Sequence, residues 1–168
     1  MKKYIIYIDA ANILMAFKEY DINIISTIIY FTEKYKGSRI KYFTGYFKSD
    51  DILYNEIIAL GCEIDYKKIY NQAFKIKANC DVEISHAITK DLLLDQKLTD
   101  IVLVSGDGDF NSLIDFSINL NKKVTVYSAD PKSCSKIFKN RDDIKLTYLI
   151  DMKEKFRNEK PPLDTNVV

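Results

Sequence analysis

The sequence is poor in residues that loosen or cross-link a chain. Five glycines and three prolines among 168 residues leave little room for long flexible connections. The three cysteines are widely spaced and form no Cys-x-x-Cys pair. We therefore expect Cys62, Cys80 and Cys134 to be reduced, mostly buried thiols and not members of a disulfide framework.

Long hydrophobic runs are also missing. No stretch of the sequence approaches the roughly 20 apolar residues that are needed to span a bilayer. The first apolar run ends at Asp9, which is too early for a secretory signal peptide. We therefore expect a cytoplasmic protein without membrane segments.

Several common catalytic and binding motifs are absent. The sequence has no Walker-type phosphate loop and no serine nucleophile elbow, and no triad assembles around His86, the single histidine. Asp107 and Asp109 imitate the start of an EF-hand loop. However, Ser112 stands where that loop requires glycine and Ile118 where it requires glutamate. These acids therefore need another explanation.

The sequence does contain enough apolar residues, 47% of the chain, for one continuous core. We expect one domain over residues 1–152 and a partly disordered C-terminal tail over 153–168.

Apolar runs without alternation predict strands that are buried on both faces, and longer periodic segments predict helices that cover them. The predicted strands cover 4–9, 39–48, 62–69, 101–104, 123–127 and 146–150. The predicted helices cover 24–37, after a cap at Asp21 or Asn23, and 51–60, 81–94, 109–120 and 133–138. This alternation predicts an α/β fold of three layers, with a central, mostly parallel sheet of five or six strands.

Acidic residues follow two of the predicted strands. Asp9 ends the first strand, and Asp107 and Asp109 come directly after the fourth. Open α/β sheets bind their ligands at the carboxyl ends of the strands. Carboxylates that converge there raise one another's pKa unless a cation is bound, and such oxygen ligands select Mg²⁺ or Mn²⁺. Because these ions stabilise charge on phosphate oxygens and activate water, the pattern favours metal-dependent phosphodiester hydrolysis.

Three segments of the chain share their order and spacing with the motifs of a known family. The segments are Ile8-Asp9-Ala10-Ala11-Asn12, Lys77-Ala78-Asn79-Cys80-Asp81-Val82-Glu83 and Leu103-Val104-Ser105-Gly106-Asp107-Gly108-Asp109-Phe110. They resemble the NYN domain family of PIN-like nucleases, in particular its LabA-like branch, and the likeness covers roughly residues 4–151. The resemblance implies a PIN-like, Rossmann-like fold in which a helix delivers one further acid, Asp81. It also implies that the catalytic residues and the ligands of Mg²⁺ or Mn²⁺ are Asp9, Asp81, Asp107 and Asp109.

The resemblance further implies an endoribonuclease, with single-stranded or structured RNA favoured over DNA as the substrate. The sequence departs from the family pattern at two points. Ala78 replaces the usual glycine, and His86 and Ala87 occupy the neighbourhood of a second helix acid, with Asp91 further along. These departures leave open a weakly catalytic or non-catalytic module that binds RNA or protein. A metal-dependent transferase is a third interpretation, although so short a chain has little room for a donor pocket. The oligomeric state is also open, a homodimer included.

Polar residues close to the acids are candidates for substrate binding. Asn12 could donate to a phosphate or orient Asp9, Lys77 could neutralise a phosphate oxygen, and Ser105 could bind an acid or the substrate. The alternatives are an ordinary helix-start, loop-surface and turn residue, respectively. The predicted phosphate track is the basic loop with Lys67, Lys68, Lys75 and Lys77. A second basic stretch, 132–141, is either solvated surface, which is the favoured interpretation, or part of a face that binds nucleic acid.

Overall fold

The computed structural model describes residues 2–67 and 79–157. The strands are β1 Tyr4–Asp9, β2 Arg39–Gly45, β3 Glu63–Lys67, β4 Asp100–Val104, β5 Lys123–Ser128 and β6 Lys145–Tyr148. The helices are α1 Ala10–Tyr20, α2 Ile24–Lys34, α3 Asp51–Ala59, α4 Asp81–Leu94, α5 Asn111–Asn119, α6 Lys136–Lys139 and α7 Lys153–Arg157. Most of the predicted basic loop, including Lys68, Lys75 and Lys77, lies outside the described residues.

The six strands form one sheet in the order β3-β2-β1-β4-β5-β6, and every neighbouring pair is parallel. The predicted α/β fold is therefore confirmed. The strand order reverses between β1 and β4, because the chain first adds strands on one side of β1 and then on the other. In the register of this central pair, Ile8 lies opposite Val104. The chain therefore leaves the sheet at Asp9 and Ser105 side by side.

Helices cover both faces of the sheet, which explains the near-continuous apolar strands. Helices α1, α2, α3 and α7 pack on one face over Ile6, Ile8 and Tyr42. Helices α4, α5 and α6 pack on the other face over Tyr7 and Phe43. The three cysteines are free and buried, as predicted.

The connection between β1 and β2 differs from the prediction of one helix over 24–37. Two helices are present, separated at Asp21, which ends α1 in the left-handed conformation with φ 54°. Asn23 then caps α2, its side chain accepting hydrogen bonds from the backbone N–H groups of Ile25 and Ser26. The short polar side chains of Asp and Asn tolerate these backbone conformations. In the sequence, Asp21 is a candidate only for the cap of α2, so the helix over residues 10–20 that Asp21 ends is not predicted.

The last described segment adds a short helix to the domain. Residues 153–157, which the sequence assigned to the tail, form α7, and Phe156 is buried. The Phe156 ring contacts the Tyr30 ring of α2 edge-on, with 5.5 Å between the ring centroids. This apolar contact fixes α7 to the same face of the sheet as α2.

Candidate active site at the carboxyl edge of the sheet

Three carboxylates meet at the point where the strand order reverses. One oxygen from each of Asp81, Asp107 and Asp109 lies within 4.8 Å of the corresponding oxygens of the other two. Asp107 and Asp109 belong to the turn after β4, whereas Asp81 is the first residue of α4. Two chain segments that are far apart in sequence therefore contribute to one acidic cluster, at the crevice where sheets of this topology bind ligands.

The position of Asp81 is fixed by the helix that it begins. Ile84 and Ile88 of α4 are buried in the core over β1, and this packing holds the helix against the sheet. At its start, the backbone N–H of Asp81 donates to Oδ1 of Asn79 at 2.8 Å. The carboxylate of Asp81 is thereby held in place beside Asp107.

Electrostatics in the cluster disfavour the ionised form of Asp81. Burial raises the pKa of this carboxyl above its ordinary value, and the negative charges of Asp107 and Asp109 raise it further. A hydrogen bond from Asn79 and the ammonium of Lys67 act in the opposite direction, but the net shift is upward. A cation among the three acids would remove this repulsion. The donor set consists of hard carboxylate oxygens that are partly open to solvent, which fits Mg²⁺ or Mn²⁺.

Asp9 adjoins the cluster but is not one of its three members. It is almost fully buried, and its side chain caps α1 by accepting from the backbone N–H of Asn12 at 3.2 Å. Its second oxygen accepts from the hydroxyl of Ser105 at 3.1 Å. The same hydroxyl accepts from the backbone N–H of Asp107 at 3.2 Å. Asp9 is therefore linked to the acidic turn through one buried serine, while its predicted direct binding of a metal ion stays a prediction.

Asn12 and Ser105, both predicted to bind substrate, make contacts that shape the acidic turn. The side-chain oxygen of Asn12 accepts from the backbone N–H of Gly106 at 2.9 Å. Ser105 is completely buried between Asp9 and Asp107, which places its hydroxyl out of reach of a large substrate. Asn12 is partly exposed and lines the cleft beside the acids. Lys77, the third predicted substrate-binding residue, lies outside the described residues.

The acidic turn packs closely against the loop between β5 and α6. A Cβ atom on Gly106 would lie 2.6 Å from the hydroxyl oxygen of Ser128 and 3.0 Å from the backbone carbonyl oxygen of Ser133. A Cβ atom on Gly108 would lie 2.5 Å from the hydroxyl oxygen of Ser135. Glycine at both positions therefore allows the two loops to approach, and this approach creates one wall of the site.

An open cleft of about 490 Å³ lies between these two loops. The acids Asp107 and Asp109 line one side of it, and Lys132, Ser133 and Ser135 line the other. Sequence reasoning missed Lys132 as a site residue because it treated the basic stretch 132–141 as surface. The available signal was that this stretch follows β5, a strand that can pair beside β4 and so end at the same edge.

Asp91 does not supply the second helix acid that the family pattern often has. It is buried, and Oδ2 of its carboxylate accepts from the hydroxyl of Tyr7 at 2.8 Å and from the ammonium of Lys41 at 2.6 Å. It lies ten residues after Asp81 on α4, about 15 Å along the helix axis. Asp91 therefore neutralises a partly buried lysine far from the acidic cluster.

The remaining residues that the sequence singled out have other surroundings. His86 is exposed on α4. Lys67 donates to the carboxylate of Glu83 at 3.2 Å and to the backbone carbonyl oxygen of Asn79, which places this one lysine of the predicted phosphate track beside the acidic cluster.

The family assignment follows from the sequence match across the fold. The NYN domain model matches residues 3–150, which include every acid of the cluster. The chain belongs to the NYN domain family. No curated protein matches the chain. A solved structure of a Vibrio parahaemolyticus protein of unknown function has the same fold, with a TM-score of 0.68 and 22% sequence identity, over 86% of this chain and 92% of that one.

Membership of the NYN family places the chain among the PIN-like nucleases and makes nucleic acid the expected substrate. In the ranges 2–67 and 79–157, the structure contains no helix that is both long and apolar enough to cross a membrane.

Proposed function

We propose that this NYN domain is a metal-dependent ribonuclease that hydrolyses phosphodiester bonds in single-stranded or structured RNA. The observation that supports this proposal is the convergence of Asp81, Asp107 and Asp109 at the reversal point of the sheet. Carboxylates at so short a distance repel one another and destabilise the folded protein unless a cation compensates their charge, so their clustering supports a role in binding one. The preference for RNA over DNA rests on the family resemblance.

The three clustered acids would hold Mg²⁺ or Mn²⁺, with Asp9 as a fourth predicted ligand. When bound, the ion supplies charge stabilisation for the phosphate oxygens and activates a water molecule for attack. Asp109 is the most exposed of the three clustered acids, which leaves the cluster open to a phosphate from solvent.

The other residues of the cleft would orient the substrate. The ammonium of Lys132, on the wall opposite the acids, attracts the phosphate backbone into the cleft. Asn12 and Ser105 fix the backbone of residues 105–107, so that the acids are positioned before substrate arrives. Such preorganisation lowers the cost of binding a charged group.

The proposal is tested by incubating the purified protein with labelled single-stranded RNA or DNA in Mn²⁺, Mg²⁺ or EDTA. We expect cleavage of RNA that needs the metal ion and disappears in the double variant Asp107→Asn, Asp109→Asn. Asparagine is a good helix cap, so the new amide side chain at position 107 can still accept the hydrogen bond from the backbone N–H of residue 109. The matched control is Asp142→Asn, Asp151→Asn, which removes two exposed carboxylates that do not belong to the cluster. Cleavage that persists in the first variant would refute the proposed site.

A binding module without catalysis is the second candidate, because Asp91 is engaged by Tyr7 and Lys41 and is not available to the cluster. RNA affinity that is equal in EDTA and in Mn²⁺, with no cleavage in either, would favour this candidate.

A further inference from the structure

A second cleft, of about 550 Å³, lies at the amino edge of the sheet, opposite the acidic cluster. It is bordered by the starts of β1, β5 and β6 and by the end of α2. Five lysines from four segments of the chain line it: Lys2, Lys34, Lys122, Lys123 and Lys145. Sequence inspection does not bring these residues together, because the parallel arrangement and the order of the strands place the starts of β1, β5 and β6 near one another.

The positive charge of this amino-edge cleft is only partly offset, because five lysines and two acids line it. Within the part of the chain that the structure describes, none of the five lysines forms an ion pair with a carboxylate. Two acids also line the cleft. Asp143 is already paired with Arg141, at 2.7 Å, and Asp100 is almost buried and accepts from the hydroxyl of Thr99. Five cations around a concave surface focus a positive potential into it.

Lys34 is held in the cleft wall by aromatic residues instead of an acid. Its ammonium donates to the hydroxyl of Tyr127 at 2.6 Å and to the hydroxyl of Tyr30 at 2.8 Å. It also lies 5.1–5.6 Å from the ring centroids of Tyr30, Tyr35 and Tyr127. An ammonium has three N–H donors, so one remains for a ligand. The tyrosines thus fix the position of a full positive charge and leave it uncompensated.

We propose that the amino-edge cleft binds phosphate groups of a nucleic-acid strand. Lysine ammoniums suit phosphate oxygens as point charges, and their spread over several segments fits a chain of phosphates better than one small anion. The choice of nucleic acid over a free polyphosphate rests on the proposed function, whereas the anion chemistry does not. Strands of six residues separate the two edges of the sheet by about 20 Å, so one extended strand of nucleic acid can contact both sites.

The test measures RNA binding in EDTA, where no cleavage can occur, by fluorescence anisotropy with a labelled single-stranded RNA. The cleft variant changes three exposed lysines to glutamine: Lys2, Lys123 and Lys145. The matched control changes three exposed lysines that do not line the cleft: Lys18, Lys48 and Lys90. We expect the cleft variant to bind about tenfold more weakly, and the slope of log affinity against log salt to fall by about 2. The control should change affinity by no more than about twofold.

Two further measurements make the result decisive. Lys34→Met keeps an apolar side chain against the tyrosines but removes the charge, and it should also weaken RNA binding. Calorimetric titration with tripolyphosphate tests whether the cleft binds a small phosphate anion that is not part of a nucleic acid. Equal losses of RNA affinity in the cleft variant and the control would show that the cleft acts only as part of a generally basic surface, and would overturn the proposal. Loss of tripolyphosphate binding with unchanged RNA affinity would overturn the assignment to nucleic acid. Absence of cleavage in Mn²⁺, with the binding difference intact, would refute the ribonuclease and leave the cleft in place.

Discussion

Replacing Asp109 by asparagine should stabilise the metal-free protein and weaken its response to metal. The carboxylates of the cluster lie within 4.8 Å of one another, and two unit charges at that distance repel by about 0.9 kcal/mol in water. Asp109→Asn removes two such pairs, or about 1.7 kcal/mol. The change also removes a favourable charge from the first turn of a short 3₁₀ helix, Gly108–Phe110, which costs about 0.3–1 kcal/mol. Repulsion is the larger effect, so we expect a net gain of about 1 kcal/mol at low salt.

The assay is thermal unfolding at pH 7 in EDTA and in Mn²⁺. In EDTA the variant should melt about 2–4 °C above the original protein, since 1 kcal/mol corresponds to that shift in a domain of this size. In Mn²⁺ at about 100 times its dissociation constant, the original protein should gain about 2.7 kcal/mol, or about 5–11 °C. The variant, which lacks one of the three clustered carboxylates, should gain less than half of that.

The pH dependence follows from the raised pKa of Asp81. A carboxyl whose pKa is higher in the folded protein favours folding when it is protonated, and this contribution is lost as the pH rises through that pKa. The advantage of Asp109→Asn in EDTA should therefore shrink as the pH falls through the raised pKa of Asp81. Asp142→Asn, which removes an exposed charge away from the cluster, is the control and should show neither effect. A variant that melts below the original protein in EDTA, or responds fully to Mn²⁺, would refute the reasoning.

Three further changes separate the residues of the site from those of the scaffold. Ser105→Ala should lower the free energy of unfolding by about 2–3 kcal/mol in a urea titration and reduce cleavage, because the buried carboxylate of Asp9 loses one hydrogen-bond donor; full activity would contradict the positioning role. Asp91→Ala should cost about 3–5 kcal/mol by leaving the largely covered ammonium of Lys41 without its carboxylate partner, while the Mn²⁺-induced stabilisation in kcal/mol stays unchanged. Gly106→Ala should destabilise by about 1–3 kcal/mol, and by more than Gly108→Ala, because its new methyl group meets backbone and not only a movable hydroxyl; equal costs would argue against the close loop packing.

The sequence predicts those parts of the fold that depend on local signals. Helix α4 begins at Asp81 and ends at Leu94, as predicted, because acidic residues in the first turn and a buried face from Ile84 to Leu92 mark its limits. The acids after β4 are equally predictable, since only two residues separate the apolar run 101–104 from Asp107. Family motifs and strand limits together are enough to propose an acidic site.

The rest depends on which strands become neighbours. The proximity of Asp9 to Ser105 requires β1 and β4 to be paired, and Lys132 reaches the site only because β5 lies beside β4. No local pattern encodes these pairings. The two-helix connection was missed for a different reason: Asp21 was considered as a cap for the second helix, whereas it ends the first.

The packing of helix α4 against the core determines the position of Asp81. Ile84, Ile88 and Leu92 fix the helix over the sheet, so the acid at its first residue is held by the folded core. A carboxylate at the end of a helix that is packed in this way needs no mobile loop to carry it to the edge of the sheet.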